Sequence, residues 1–278
     1  MRVALIQLTS TRDIDANLAR CRQLAEEAIA TGADWILFPE NAPFLGRDDE
    51  KVAVAETVDG PMVGHFASLA RQLDAYVTLG SFPEKSPDAH RTYNTQVHLS
   101  PDGNIAGLYR KIHLFDVCVD DEVDFCESQS VYPGRQIVDT TVVDKEGRDR
   151  KVGLSICYDL RFPELYRRLQ SRGVYAVTVP SAFTLATGSV HWHALLKARA
   201  IENQAYILAP NQWGHHFEKR NSYGQSSVYD PWGRCLSCAA DRQGFVIADL
   251  DFGYADEIRQ SMPVFSHRSV HQIDESSD

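Results

Sequence analysis

Three residues of this chain combine a reactive side chain with a position at the end of a predicted strand. Glu40 lies just past one buried strand, Cys157 occupies a strand-to-helix turn, and Lys111 lies beyond the second strand of a hairpin. At such a turn, the N–H groups and the positive dipole end of the following helix lower the pKa of a thiol and supply donors for an oxyanion. We therefore expect Cys157 to be a reactive nucleophile with a lowered pKa.

Each of these residues also has a purely structural interpretation. A lone cysteine at a strand end is usually a small, buried, apolar residue. A glutamate at that position is usually a helix cap or a solvated charge, and most lysines are solvated. The residue types alone therefore leave open whether Glu40, Lys111 and Cys157 converge.

The elements around these residues have the pattern of parallel βαβ units. An apolar strand at the N-terminus is followed by a helix with Asp15 as its predicted N-cap, and then by a strand over 35–38 that ends before Glu40. The pattern recurs where a later strand leads to Cys157 and Pro163 begins the next helix. In open α/β sheets, sites form outside the carboxyl ends of the strands, which is where both reactive residues are placed.

The rest of the chain continues this alternation, apart from one long stretch. Residues 112–136 show no clear period and are predicted to form a long loop of the kind that is usually functional. We interpret the chain as one α/β domain over 1–270 with a short polar tail over 271–278. Further helices are predicted over 61–73, 163–172 and 191–203, and further strands over 75–80, 92–99, 104–109, 175–179, 205–209, 224–230 and 244–249.

Composition and charge exclude several classes of protein. The 278 residues include 28 Lys and Arg against 38 Asp and Glu, a net charge of −10. The chain therefore has no cationic excess with which to bind nucleic acid or an anionic membrane. No stretch approaches the roughly 18 apolar residues of a membrane span. No arginine-rich, acid-poor leader is visible, and we expect a cytoplasmic protein.

The cysteine and histidine patterns do not predict a metal centre. Cys235 and Cys238 form a single CxxC pair, without the second pair of ligands that a structural zinc site requires. His191 and His193 are two residues apart and do not share a helix face. We therefore expect no metal and no cofactor, and the roles of His193 and of the cysteine pair stay open.

Three motifs resemble the signatures of the nitrilase superfamily of carbon–nitrogen hydrolases, in the same order and with similar spacing. The resemblance covers nearly the whole chain and implies a four-layer α-β-β-α sandwich. It also implies a small-molecule amide as the substrate and a homodimer or larger homo-oligomer as the assembly. The motifs are Phe38-Pro39-Glu40, Tyr109-Arg110-Lys111 and Cys157-Tyr158-Asp159-Leu160-Arg161-Phe162-Pro163-Glu164.

This resemblance implies distinct catalytic roles for the candidate residues. Cys157 would attack the amide carbonyl and form a thioester, while Glu40 would move protons to and from the reacting groups. Lys111, aided by the backbone N–H of Tyr158, would stabilise the tetrahedral oxyanion. Glu127 aligns with a second glutamate that relatives place beside the lysine and cysteine. A lysine between carboxylates should stay protonated.

Several stretches are more similar to one branch of the superfamily, the deaminated glutathione amidases. The alternative branch, the omega-amidases of 2-oxo acid amides, usually has glycine at the position of Ser181 and lacks the Glu-Lys-Arg run over 218–220. The stretches that favour the first branch lie over 180–188, 191–202, 218–224, 230–233 and 262–268.

A substrate with several carboxylates would need cationic partners, because carboxylates bind best to charged donors. Arg161, Lys219 and Arg220 are candidates for this role. Ser181 is a further candidate for substrate binding. Structural ion pairs or solvated charges are equally compatible with these cations, and for Arg161 a structural role is favoured.

Two other classes of function remain open from the sequence. Cys157 could pair with a distant histidine in a different hydrolase, although no cysteine-protease signature accompanies it. The chain could also be a catalytically idle binding protein, since a fold does not guarantee activity. The presence of Glu40, Lys111 and Cys157 together argues against an idle protein.

Overall fold

The computed structural model describes residues 1–120 and 123–269, which form two six-stranded sheets, two short ribbons and flanking helices. The strands are β1 Arg2–Gln7, β2 Trp35–Leu37, β3 Tyr76–Lys85, β4 Thr92–Leu99, β5 Ile105–Arg110, β6 Asp116–Asp120, β7 Val123–Cys126, β8 Asp139–Val143, β9 Asp149–Leu154, β10 Ala176–Thr178, β11 Tyr206–Ala209, β12 Trp213–Phe217, β13 Arg220–Tyr223, β14 Ser227–Tyr229, β15 Cys235–Cys238 and β16 Gly244–Asp249. The helices are α1 Ile14–Ile29, α2 Asp48–Val54, α3 Pro61–Leu73, α4 Pro163–Ser171, α5 Leu185–Asn203 and α6 Phe252–Ser261, with 3₁₀ helices over Glu127–Gln129 and Cys157–Arg161.

Each six-stranded sheet has a parallel centre with antiparallel strands outside it. The first sheet has the order β16-β1-β2-β3-β4-β5, and its strands β1, β2 and β3 are parallel. The second has the order β15-β14-β11-β10-β9-β8, and its strands β9, β10 and β11 are parallel. Glu40 follows β2 and Cys157 follows β9, so each lies beyond the carboxyl end of a parallel strand, as predicted.

The packing of alternate strand residues defines four layers. In β1, Ala4 and Ile6 belong to a core with the residues of α1 and α3, whereas Val3 and Leu5 face the second sheet and pack in a core with Leu208. Successive side chains of a strand point to opposite faces, so a sheet covered on both sides needs a continuous apolar run. A third core joins the second sheet to α4 and α5. The predicted four-layer α-β-β-α sandwich is confirmed.

Capping side chains decide where the helices begin, and two predicted starts are wrong. Helix α1 begins after Asp13, whose carboxylate accepts a first-turn N–H at 3.0 Å, and Asp15 lies inside that turn. Helix α5 begins after Thr184, whose hydroxyl accepts a first-turn N–H, well before the predicted start at 191. Helix α3 begins at Pro61 as predicted, because the first helical position needs no backbone N–H.

The stretch over 112–136 is more ordered than the predicted long loop. Its described residues include the ribbon β6–β7 and the 3₁₀ helix that begins at Glu127. The short helix α2 and the ribbon β12–β13 were also not predicted. The polar tail over 271–278 lies outside the described residues. In the part of the chain that the structure describes, no helix is long and apolar enough to cross a membrane.

Candidate active site

Glu40 is held in a buried position just beyond β2. Gly80 on the neighbouring strand β3 permits the turn, because a Cβ at residue 80 would overlap the carbonyl groups that precede Glu40. Three donors then fix the carboxylate, which is 3% exposed. Oε1 accepts from Lys111 Nζ at 3.0 Å and from Asn94 Nδ2 at 2.8 Å, and Oε2 accepts from the Ala182 N–H at 2.8 Å.

Cys157 lies on a strained turn that the surrounding structure holds firmly. Its φ of 47° is in the left-handed region, which a residue with a Cβ rarely adopts. Its N–H donates to the Pro180 carbonyl at 2.9 Å. The buried carboxylate of Asp159 fixes the same turn, accepting the Ile156 N–H at 2.8 Å and the Tyr109 hydroxyl at 2.7 Å. Both the nucleophile turn and the strand that leads to Lys111 are therefore tied to one side chain.

Lys111 lies between two carboxylates. Its ammonium group is 3.0 Å from Glu40 Oε1 and is 2.9 and 2.8 Å from the two carboxylate oxygens of Glu127. Glu127 also accepts the Phe115 N–H at 2.7 Å, and the Lys111 backbone N–H donates to the Asn94 carbonyl at 2.9 Å. The lysine is thus fixed at both its backbone and its charged end.

The charged forms of Lys111 and of the carboxylates beside it stabilise one another. Burial lowers the pKa of Lys111, but the Glu127 and Glu40 carboxylates outweigh burial and raise this pKa well above its ordinary value. Burial raises the pKa of Glu127, but the charge of Lys111 outweighs it and holds that pKa below its ordinary value. The lysine stays protonated, as predicted.

The expectation of a lowered thiol pKa is wrong for Cys157. Burial raises the pKa of this thiol and the adjacent Glu40 carboxylate raises it further, while Lys111 and the Ala182 N–H act in the opposite direction. The donors at the turn are outweighed because the thiol is withdrawn from water. The raised pKa favours the protonated thiol, and Glu40 is the adjacent side chain that could accept its proton as the sulfur attacks.

A cavity of about 440 Å³ opens onto the predicted catalytic residues Glu40, Lys111, Glu127 and Cys157. The structure therefore brings together all four side chains that were predicted to be catalytic. Tyr158 also lines the cavity, and its backbone N–H belongs to the first turn of a 3₁₀ helix, where N–H groups lack an acceptor within the helix.

The four residues predicted to bind substrate separate into two pairs. Lys219 and Arg220 line the cavity from the ribbon β12–β13. Arg161 lies outside the lining and packs over two aromatic rings. Ser181 is fully buried and its hydroxyl donates to the Val179 carbonyl at 3.0 Å. The geometry supports a structural role for Arg161 and Ser181.

Several residues of this site were missed by the sequence analysis. The backbone N–H of Ala182 has no sequence signal, because every residue except proline has one. Lys51 of α2 and Arg47, which precedes this helix, line the cavity, and α2 is a short helix without buried residues and hence without an apolar period. Asn94 did carry a signal, since it shares one face of a buried strand with the polar Gln96.

The residues whose roles were left open lie away from the cavity lining. His193 Nδ1 is 2.9 Å from the Tyr229 hydroxyl, and Cys235 and Cys238 are exposed on the edge strand β15. Over residues 1–120 and 123–269, no group of three or more His, Cys, Asp or Glu side chains could hold a metal ion.

Fold and site together define a class of enzyme, the α-β-β-α hydrolases that act through a cysteine thiol. The chain belongs to the carbon–nitrogen hydrolase family, whose sequence profile matches residues 2–260. The nitrilase-superfamily resemblance is thereby confirmed, and the protein is an amidase.

Individual relatives agree with this assignment. The chain is 40% identical to human deaminated glutathione amidase over 270 residues, which is 96% of this chain and 81% of the relative. It superposes on the Caenorhabditis elegans nitrilase and fragile histidine triad fusion protein NitFhit with a TM-score of 0.88 and 38% identity, covering 96% of this chain but only 64% of that one. An amidase from Nesterenkonia sp. AN1, in which acrylamide has added to the active-site cysteine, matches with a TM-score of 0.75 and 25% identity over 94% of this chain and 98% of that one.

Proposed function

We propose that this amidase hydrolyses deaminated glutathione, in which a keto group replaces the amino group of the γ-glutamyl residue. The observation that carries the proposal is the presence, in one cavity, of a thiol, a carboxylate and a lysine held by two carboxylates. The human relative supports this choice of substrate. The cavity volume of about 440 Å³ is typical of small-molecule sites.

In the acylation step, Cys157 is the nucleophile and Glu40 carries the proton. As the sulfur bonds to the amide carbon, the thiol proton passes to the adjacent carboxylate of Glu40. Lys111 and the Tyr158 N–H stabilise the charge that develops on the amide oxygen. Glu40 then gives the proton to the amide nitrogen and the C–N bond breaks. Cysteinylglycine departs, and the acyl group remains on Cys157 as a thioester.

In the deacylation step, water attacks the thioester carbon and Glu40 accepts its proton. The C–S bond breaks, the proton returns to the sulfur of Cys157, and 2-oxoglutarate is released. Lys111 keeps its proton throughout, because two carboxylates hold it at 2.8 to 3.0 Å. Its role is therefore electrostatic, and Glu127 fixes its position.

Arg220 is the cation of the cavity best placed to receive a substrate carboxylate. Its guanidinium donates to the Ala182 carbonyl at 3.2 Å and lies 4.7 Å from the centre of the Phe125 ring, so neutral partners hold it in place. Among residues 1–117 and 125–269, whose side chains the structure describes, no carboxylate lies within 4.0 Å of it. By contrast, Lys51 is paired with Asp48 at 2.8 Å. Arg220 is therefore the candidate that we select for binding a substrate carboxylate.

Replacing Arg220 with glutamine is expected to lower kcat/KM for deaminated glutathione by about 10- to 100-fold, the usual value of a hydrogen bond to a charged group. A neutral amide without carboxylates should be hydrolysed as well as by the wild type. An equal loss on both substrates, or no loss on either, would refute the role. Steady-state rates with 2-oxoglutaramate show which carboxylate of the substrate binds Arg220, because this amide has the 2-oxo acid carboxylate but no glycine carboxylate.

The proposed substrate is tested by comparing the wild-type kcat/KM for deaminated glutathione with that for 2-oxoglutaramate. A clearly higher value for deaminated glutathione is the expected result. A preference for 2-oxoglutaramate would retain the mechanism and favour the omega-amidase alternative. The absence of turnover on either, with a Cys157 that does not react with electrophiles, would favour an idle binding protein.

We also propose a homodimer and a cytoplasmic location. The long helix α5 supports the first, because Val190 and Ile201, which are 71% and 43% exposed, lie three turns apart on one face of it. The second is supported by the free state of Cys21, Cys126, Cys157, Cys235 and Cys238, since reducing compartments keep thiols unpaired. Sedimentation of the purified chain measures the assembly.

A further inference from the structure

Asn94, on strand β4, touches three of the four candidate catalytic residues, although it belongs to none of the sequence motifs. Its Nδ2 donates to Glu40 Oε1 at 2.8 Å and to Glu127 Oε1 at 3.4 Å, and its backbone carbonyl accepts the Lys111 N–H at 2.9 Å. The residue is 6% exposed. A single neutral amide therefore joins the two carboxylates that share the lysine.

Only one orientation of the Asn94 amide suits this position. An amide nitrogen has two N–H groups and the amide oxygen has none, so the nitrogen must face the two carboxylates. The opposite orientation would set the oxygen against Glu40 and Glu127. The Asn94 Oδ1 atom is buried and has no hydrogen-bond partner among the described residues. The same holds for Oε1 of Gln96 on the same strand face, so the donors of Asn94, and not its acceptor, distinguish it.

We propose that Asn94 is a positioning residue that holds Glu40 and Glu127 apart and keeps Glu40 aligned for proton transfer with Cys157. Each of its two N–H groups serves one carboxylate, so the two anions keep separate places around the same ammonium group. The inference rests on the proposed mechanism, in which Glu40 carries the proton. It adds a residue that acts through the Glu40 carboxylate.

The charged and titratable groups around Glu40 come from several elements. Lys111 faces it from the end of β5, and Cys157 faces it from the turn after β9. Glu127 shares Lys111 with it, and Lys51 of α2 acts on Glu127. Asn94 adds donors to this group without adding charge. Because these donors favour the ionised carboxylates, their removal makes protonation easier, and the carboxylates take up a proton at a higher pH.

Replacing Asn94 with alanine is expected to lower kcat by about 10- to 100-fold with little change in KM, since a small misplacement of a catalytic group has an effect of this size. The acid limb of the kcat/KM profile should move to higher pH. The same limb can be followed without substrate, as the pH dependence of Cys157 alkylation by iodoacetamide. If the alanine variant does not fold, the nearly isosteric Asn94→Leu variant makes the same test, because it also lacks the two N–H groups and adds no charge.

Gln96→Ala is the matched control. Gln96 is two residues further along the same strand face, is fully buried and donates to the Thr178 hydroxyl at 2.7 Å. This variant should lose stability but keep the acid limb of the wild type. If the Asn94 variants also lose only stability, and the acid limb of their pH profiles stays at the wild-type pH, the positioning role is overturned. The wild type could fail to hydrolyse deaminated glutathione while the Asn94 variants still shift the pH dependence of Cys157 alkylation. In that case the proposed substrate is wrong and the role of Asn94 stands.

Discussion

Replacing Cys157 with alanine is expected to lower kcat/KM for deaminated glutathione by roughly 10⁴-fold or more, the scale of loss when an essential nucleophile is removed. No thioester can form in this variant, and the remaining oxyanion donors act only on direct attack by water. The free energy of unfolding should change by less than about 1 kcal/mol, because the thiol lines a cavity and its removal strands no buried charge. Release of 2-oxoglutarate and urea denaturation measure the two quantities.

Cys126→Ser is the control for this experiment, because Cys126 also lines the cavity and precedes Glu127. Its sulfur lies 3.7 Å from the Ser128 hydroxyl, a contact that a serine can replace. This variant should keep most of the wild-type activity and a reactive Cys157. Turnover that survives in Cys157→Ala would contradict the mechanism, and turnover lost only in Cys126→Ser would move the nucleophile to that thiol.

The strand that leads to Glu40 could be predicted from the sequence because it is buried on both faces, and β9, which leads to Cys157, is buried on both faces over its last three residues. Such strands appear as continuous apolar runs, and the residue that follows each run lies at the edge of the sheet where sites form. The roles of Lys111 and Glu127 came from the family resemblance, because a lysine after a strand has no signal of its own. Their placement beside Glu40 then follows from the strand order.

The remaining features depend on contacts between segments that are distant in sequence. Asn94 reaches Glu40 because β4 lies two strands from β2, an order that no local pattern contains. The raised pKa of the Cys157 thiol depends on burial by the packed layers, whereas the sequence shows only the turn. The short helix α2 and the ribbon β12–β13 were missed because they are too short for a clear apolar period, although Lys219 and Arg220 were selected by their charge.

Replacing Lys111 with methionine is expected to affect both stability and catalysis. The side chain keeps its approximate length, but Glu40 and Glu127 are left buried without their cation. Breaking a buried ion pair in this way destabilises a protein by about 3–5 kcal/mol. The loss of an oxyanion donor alone lowers kcat by about 10²- to 10³-fold, and the released carboxylates lose their alignment as well. We therefore expect at least this loss in kcat/KM.

The pH dependence of the Lys111→Met effect separates charge from packing. The raised pKa of Lys111 adds stability that is lost only as pH rises through it, and the lowered pKa of Glu127 adds stability that is lost as pH falls through it. The difference in unfolding free energy between wild type and Lys111→Met should be largest near neutral pH and should shrink in acid. Lys145→Met removes a lysine that is 60% exposed, and should leave the free energy of unfolding nearly unchanged.

A second substitution separates the two effects of losing Lys111. Adding Glu127→Gln to Lys111→Met removes one of the stranded charges, so the double variant should regain part of the lost stability. It should not regain activity, because neither side chain then stabilises the oxyanion. Chemical denaturation and steady-state rates measure the stability and the activity of the wild type, Lys111→Met, Glu127→Gln and the double variant. Recovery of activity together with stability would mean that Lys111 only supports the fold, and the oxyanion would then depend on the Tyr158 N–H.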